Sequence, residues 1–111
     1  MKYIVAGSRG FNNYEKLKEV LDKICLEEIV SGTAKGADTL GEKYALENDI
    51  LLTAFPAKWD EYGRSAGFRR NAEMAQYGDA LVAFWDGQSS GTKHMIDLAL
   101  AKGMWIKVVR F

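Results

Sequence analysis

Five short apolar runs alternate with longer amphipathic stretches, and this alternation most constrains what the chain can fold into. The runs are predicted strands at Tyr3–Ala6, Glu27–Val30, Ile50–Phe55, Ala80–Phe84 and Trp105–Val109. The stretches between them carry apolar residues at helical spacing, as Leu17, Val20 and Leu21 do. No hairpin signal such as Asn-Gly joins two runs. The order βαβαβαβαβ predicts an α/β sandwich, with a parallel sheet of about five strands and helices on both faces.

Length and charge narrow the class of protein further. The 111 residues fit one domain, so we expect residues 1–111 to form a single domain. Fifteen basic and fifteen acidic residues cancel, which argues against general nucleic-acid binding but leaves room for a local basic patch. No signal peptide is visible, and no apolar run approaches the roughly 18 residues of a membrane span. We therefore expect a cytoplasmic protein without a membrane partner.

The single cysteine and the single histidine limit the chemistry of any site. Cys25 cannot form an internal disulfide, and it falls on the apolar side of a predicted helix, where we expect a buried, inert thiol. His94 alone cannot supply a histidine-based catalytic triad or a cluster of histidine metal ligands. We expect no metal site and no cofactor.

Polar turns follow three of the predicted strands, each at the carboxyl end of its strand. Gly7-Ser8-Arg9 follows the first strand, residues 31–38 follow the second, and residues 86–92 follow the fourth. The carboxyl ends of parallel strands meet at one edge of the sheet, which is where ligands bind in such folds. The shared location predicts one composite site.

The chemistry of two of these turns predicts a site for a phosphate-bearing small molecule. Residues 86–92 lead from a buried strand into a helix that opens near Thr92, and helix N-termini attract phosphates and carboxylates. Residues 31–38, with the sequence SGTAKGAD, predict the other half of the site. They lack the spacing of a Walker A loop, and no GxGxxG dinucleotide fingerprint occurs in the chain.

Basic side chains near these turns have two interpretations. Arg9 could bind a phosphate in two-pronged fashion or pair with a surface acid. Arg64, Arg69 and Arg70 cluster near the start of the third predicted helix, as a solvated basic face or as part of an anion site.

Acidic and aromatic side chains leave similar alternatives open. Asp38 could cap its helix or bind a ribose hydroxyl, and Asp86 could hold a ribose, orient water or shape its turn. Trp85, Trp59 or Phe11 could stack on a base, or belong to the core. The predicted ligand-binding residues are Gly7, Ser8, Arg9, Ser31, Gly32, Thr33, Lys35, Gly36, Asp38, Arg69, Arg70, Asn71, Trp85, Asp86, Ser89, Ser90, Gly91 and Thr92.

The order of these motifs resembles the SLOG superfamily, in its small single-domain branch related to YspA and cpYpsA. The matching segments are Gly7-Ser8-Arg9, Ser31 through Asp38, Pro56 through Trp59, Ala66-Gly67 with Arg70-Asn71, and Phe84 through Thr92. The resemblance implies a Rossmann-like domain that binds a nucleotide or a nucleotide-derived, ADP-ribose-like molecule as a sensor, carrier or sequestering protein. It also implies a homo-oligomer, a dimer or larger.

Two relatives implied by the resemblance suggest alternative functions. LOG-type phosphoribohydrolases use a Glu-Arg-Lys motif and a Gly-Gly-x-Gly-Thr motif followed by glutamates. Here Arg70 and Gly91-Thr92 match, whereas Arg69 and residues 93–95 stand where carboxylates are expected. An N-glycosidic hydrolase or transferase would therefore need Asp86 or Asp38 as acid, base or nucleophile. The DNA-processing protein DprA suggests single-stranded DNA binding instead, against which the balanced charge argues.

Overall fold

A computed structural model describes all residues, 1–111, and contains one parallel sheet of five strands. The strands are β1 (Lys2–Gly7), β2 (Glu28–Ser31), β3 (Leu51–Ala54), β4 (Ala80–Trp85) and β5 (Trp105–Arg110). The helices are α1 (Tyr14–Leu21), α2 (Ala37–Glu47), α3 (Trp59–Tyr62), α4 (Ala66–Tyr77) and α5 (Ser90–Lys102), with a 3-10 turn at Gly63–Ser65. All neighbouring strands are parallel, in the order β3-β2-β1-β4-β5.

Helices cover both faces of the sheet, so that alternate strand residues enter two separate cores. On one face Val5 of β1 packs with apolar residues of α1 and α2, including Leu17 and Tyr44. On the other face Ile4 packs with residues of α4 and α5, including Met74. The continuous apolar strands arise because a parallel sheet is buried on both sides. The predicted Rossmann-like α/β/α sandwich is confirmed.

The strand order reverses at the centre of the sheet, between β1 and β4. These two strands pair from Tyr3 with Ala80 to Gly7 with Phe84. Beyond their carboxyl ends the chain leaves β1 toward α1 on one face and leaves β4 toward α5 on the other face. Such a reversal opens a crevice in which ligands of α/β proteins bind.

Two local features differ from the sequence-based expectation. Helix α1 ends at Leu21, and the N–H of Ile24 turns back to the carbonyl of Leu21 in a tight turn. Cys25 therefore lies beyond the helix and is exposed, so the prediction of a buried thiol is wrong. The order βαβαβαβαβ predicts one helix between β3 and β4, whereas the structure has two there, the short α3 and the longer α4, which begins at Ala66. No helix of the chain is both long enough and apolar enough to cross a membrane.

Candidate functional site

A half-open cleft of about 440 Å³ lies at the carboxyl ends of β1 and β4. Its walls come from the loop after β1, from the loop between β4 and α5, and from α3 and the beginning of α4. The predicted site residues that line it are Gly7, Ser8, Arg9, Asp38, Arg70, Asn71, Asp86, Ser89, Ser90, Gly91 and Thr92. The fold thus brings residues from widely separated segments to the point where the strand order reverses.

The loop between β2 and α2 supports the cleft more than it lines it. Of the predicted site residues in this loop, Ser31, Gly32, Thr33, Lys35 and Gly36 are not in the cleft wall. The Ser31 hydroxyl is buried, donates to Glu42 at 2.6 Å and accepts from the Thr33 N–H at 3.0 Å. Thr33 has a φ of 61° and, like Lys35, is exposed.

Three further candidates do not line the cleft. Arg69 lies 4.3 Å over the ring of Tyr62 and donates to Ser65. The Trp85 indole N–H donates to the carbonyl of Ser89 at 3.1 Å, so this ring braces the loop between β4 and α5 and does not line the cleft. Phe11 is buried and stacks on Phe84, with ring centroids 4.6 Å apart, so it belongs to the core.

The structure also adds lining residues that the site prediction did not include. These are Ala6, Gly10, Ala34, Trp59, Arg64, Gly67, Phe68, Met74 and Met95. The sequence already made Trp59 a candidate for stacking on a base and Arg64 a candidate for an anion site. Phe68 follows Gly67 at the start of a helix, and only the folded arrangement shows that it faces the cleft.

The loop after β1 is fixed in place by close contacts with two other loops. Ser8 is buried, its N–H donates to the carbonyl of Phe84 at 2.9 Å, and its hydroxyl accepts from the N–H of Asp86 at 3.1 Å. On the other side Gly36, with a φ of 82°, lies so close that a Cβ there would overlap the carbonyl oxygens of Ser8 and Arg9. Only glycine combines this backbone conformation with this approach.

The N-terminus of α5 forms one wall of the cleft. Ser89 is the N-cap, and its hydroxyl accepts from the Thr92 N–H at 3.4 Å. The first intrahelical bond runs from the Lys93 N–H to the Ser89 carbonyl, which leaves the N–H groups of Ser90 and Gly91 without helical partners. These N–H groups and the helix dipole favour an anion at this wall.

Arg70 and Asn71 link this wall to the opposite side of the cleft. The Arg70 guanidinium is partly buried, donates from Nη1 to the carbonyl of Gly32 and from Nε to Asn71 Oδ1 at 3.0 Å. The buried Asn71 amide donates to the carbonyl of Gly91 at 3.2 Å. No carboxylate lies within 4.0 Å of the Arg70 guanidinium.

The two candidate acids differ in protonation and role. Burial raises the pKa of Asp38 to about 6, although an N–H bond from Ala34 at 3.2 Å and the charge of Arg70 oppose the shift. Asp86 is exposed, and the N–H groups of Gln88 and Ser89, each 2.8 Å from its Oδ1, hold its pKa below the ordinary value. Asp86 therefore shapes its turn, whereas Asp38 is the carboxyl that can exchange a proton near neutral pH.

No three histidine, cysteine, aspartate or glutamate side chains gather into a group that could hold a metal ion. The polar groups of the cleft are instead arginines, backbone N–H groups, hydroxyls and one buried carboxyl. The arginines and N–H groups suit an anion, and the carboxyl can accept from a hydroxyl group of the same ligand.

Comparison with known proteins agrees with this architecture. Residues 1–62 match the family model described as YspA, cpYpsA-related SLOG family. Over 89 residues the chain is 34% identical to the Gene 61 protein of Mycobacterium phage D29, an alignment that covers 75% of this chain and 70% of the phage protein. No solved structure matches the chain. The chain therefore belongs to the YspA, cpYpsA-related SLOG family.

Proposed function

We propose that the chain binds a nucleotide or a nucleotide-derived small molecule in this cleft, as a sensor, carrier or sequestering protein. The observation that carries the proposal is Arg70, a partly buried guanidinium that lines the cleft and has no carboxylate within 4.0 Å. Burying a charge is costly, and two hydrogen bonds and the nearby carboxyl of Asp38 compensate this one only in part, because Nη2 makes no hydrogen bond within the protein. A phosphate is an anion that a guanidinium can bind through two hydrogen bonds.

The other lining groups have complementary roles in the proposal. The N–H groups of Ser90 and Gly91 and the side chain of Arg9 share the phosphate with Arg70. The buried carboxyl of Asp38, which lies near the Arg70 guanidinium beside Gly32, receives a ribose hydroxyl. A ligand that carries both phosphate and ribose satisfies both sets of groups.

A thermal-shift panel of nucleotides, NAD-derived compounds and cyclic nucleotides tests the proposal. A ligand present at 100 times its Kd stabilises the fold by about 2.7 kcal/mol, which shifts the Tm of a domain this size by on the order of 10 °C. We expect one class of compound to give such a shift in the wild type and not in Arg70→Ala. No shift with any compound at millimolar concentration would contradict the proposal.

A second candidate function, hydrolysis or transfer at an N-glycosidic bond, is favoured by one observation. Asp38 lines the cleft with a pKa near 6, which suits a general acid or base at neutral pH. Asp86 suits this role less, because its carboxylate is engaged by two N–H groups. Chromatography would detect free base from any nucleotide that binds. If no base appears, the candidate function fails; if Asp38→Asn releases base as fast as the wild type, Asp38 is not its acid or base.

Single-stranded DNA binding is the remaining alternative. Arg9, Arg64 and Arg70 would supply its positive surface, and they all lie within the cleft. A mobility-shift assay at low salt would separate this alternative from small-molecule binding, since a DNA-binding surface loses affinity steeply as salt rises.

A further inference from the structure

Two large aromatic side chains line the cleft without being part of either core. Trp59 and Phe68 are 50% and 48% exposed, although both belong to the cleft wall. Neither ring contacts the other, and neither belongs to the two clusters that flank the sheet. Burial of a large aromatic ring contributes a favourable free energy, because apolar surface is removed from water. The exposed surfaces of these two rings in a cleft therefore favour an apolar, planar partner.

Trp59 lies beside Arg70, the residue proposed to bind the phosphate. A Cβ built on Gly67 would lie 3.4 Å from Cη2 of Trp59 and 3.8 Å from Nη2 of Arg70. The edge of the indole therefore rests near the Gly67 backbone, next to the guanidinium. The indole makes no cation–π contact and no aromatic contact in the protein, so its faces are not occupied by another ring or a cation.

Phe68 is fixed against the first turns of α5. Its ring packs on the imidazole of His94 in a T-shaped arrangement, with centroids 4.6 Å apart and an interplanar angle of 76°. The imidazole is held in turn, because its Nδ1 lies 3.2 Å from Nδ2 of Asn71. Phe68 thus lies close to the helix end at which the proposed phosphate site is built.

We propose that Trp59 and Phe68 form an aromatic subsite for a planar base, so that the cleft selects a nucleoside 5′-phosphate unit over a sugar phosphate. This inference rests on the proposed function and specifies its ligand class. Both rings lie next to phosphate-binding groups, Trp59 beside Arg70 and Phe68 beside α5. That proximity suits a ligand in which a single sugar separates the base from the phosphate.

The size of the expected preference follows from the usual contribution of base stacking. Stacking of a base on an aromatic side chain strengthens binding by roughly 5- to 100-fold and is tolerant of base identity. We therefore expect both AMP and UMP to bind more tightly than ribose 5-phosphate, which carries the same sugar and phosphate without a base.

Isothermal titration calorimetry with AMP, UMP and ribose 5-phosphate tests the inference. We expect the wild type to bind AMP at least about 5-fold more tightly than ribose 5-phosphate. Trp59→Ala and Phe68→Ala should each lose most of this preference while their affinity for ribose 5-phosphate stays the same. Trp59→Phe should retain much of it, since a smaller ring still stacks. Trp105→Ala is the matched control, because Trp105 is similarly exposed, at 49%, but does not line the cleft.

The outcomes separate the subsite from the proposed function. Equal affinity of the wild type for AMP and ribose 5-phosphate would overturn the aromatic subsite and leave phosphate binding intact. An unchanged preference in both alanine variants would overturn it as well. If none of the three compounds binds, the phosphate site fails together with the inference.

Discussion

The guanidinium of Arg70 donates a hydrogen bond from Nη1 to the carbonyl of Gly32, which joins α4 to the loop after β2. A Cβ on Gly32 would lie 2.7 Å from this Nη1 and 2.9 Å from Oδ2 of Asp38. The contact orients the guanidinium, while Nη2 makes no hydrogen bond within the protein. The guanidinium of Arg70 is therefore held in one orientation, and its Nη2 can still donate hydrogen bonds to a ligand.

Replacement of Arg70 should weaken anion binding with a modest effect on folding. A hydrogen bond to a charged group contributes about 1.5–3 kcal/mol, so we expect Arg70→Ala to weaken binding of a phosphate ligand by roughly 10- to 100-fold. Arg70→Lys should recover little, because an ammonium cannot bind in the planar two-pronged geometry. Arg69→Ala is the control, since Arg69 is exposed and lies over Tyr62 outside the cleft. Calorimetry would contradict this account if Arg69→Ala lost as much affinity as Arg70→Ala.

Removal of the buried charge at Asp38 should make the protein more stable at neutral pH. The pKa of Asp38 is raised to about 6, so the folded state pays for an ionised buried carboxylate above that pH. One pKa unit corresponds to about 1.4 kcal/mol, and we expect Asp38→Asn to be more stable by about 1–3 kcal/mol at pH 7.5.

The pH dependence gives a separate check on Asp38. The unfolded chain ionises this carboxyl at its ordinary pKa of about 4 and the folded protein at about 6, so the cost is absent only below about 4 and stability is lost as the pH rises from there to 6. The advantage of Asp38→Asn should therefore be smaller at pH 5 than at pH 7.5, by about 1 kcal/mol. Urea unfolding at the two pH values measures this difference. If the stability advantage of Asp38→Asn is the same at both pH values, the carboxyl of Asp38 is ionised at both and its pKa is not raised to about 6.

Gly36 should be one of the least replaceable positions in the chain. Its φ is 82°, and a Cβ would overlap backbone oxygens of Ser8 and Arg9, which cannot move as a flexible side chain could. We expect Gly36→Ala to destabilise the fold by at least about 2 kcal/mol and to displace the loop after β1. Gly10→Ala is the matched control, since a Cβ at Gly10 meets nothing within 4 Å. Thermal unfolding followed by circular dichroism should show a large loss only for Gly36→Ala.

Self-association is expected along the edge strand β5. This strand is the last of the sheet, and Trp105, Val108 and Phe111 at or beside it are 49%, 39% and 53% exposed. Open strand edges with apolar side chains favour pairing with another chain. Sedimentation should show a dimer or larger species that Val108→Lys weakens. A monomer at all concentrations would contradict this expectation.

The sheet was predictable because each strand is a short apolar run that can be recognised from its composition alone. The run Ala80–Phe84 reappears as β4 with one added residue, since a strand covered on both faces must be continuously apolar. Helix α3 was not predictable, because none of its four residues is buried and so no periodic pattern marks it. The exposed Cys25 was missed for a related reason, since the tight turn after Leu21 leaves no clear signal.

The rim of the cleft was predictable from topology, but the direction of individual side chains was not. Ser31 and Thr33 have the residue types of a phosphate loop, yet the buried hydroxyl of Ser31 is used by Glu42 and by Thr33 itself. Trp85 and Trp59 are the same residue type, but Trp85 donates to Ser89 and carries Arg110 over its ring, whereas Trp59 lines the cleft. Such outcomes depend on contacts between segments that are far apart in the chain.

The pairing of β1 with β4 also decides when the cleft can come into existence. Tyr3 pairs with Ala80, so the central ladder of the sheet waits for a segment that is synthesised long after its partner. Non-local pairings of this kind slow folding, because bringing the two strands together restricts the conformational freedom of the chain between them. A nascent chain that ends before β4 would have no cleft. Until β4 is synthesised, the edge of β1 that pairs with it would be free to pair with other strands.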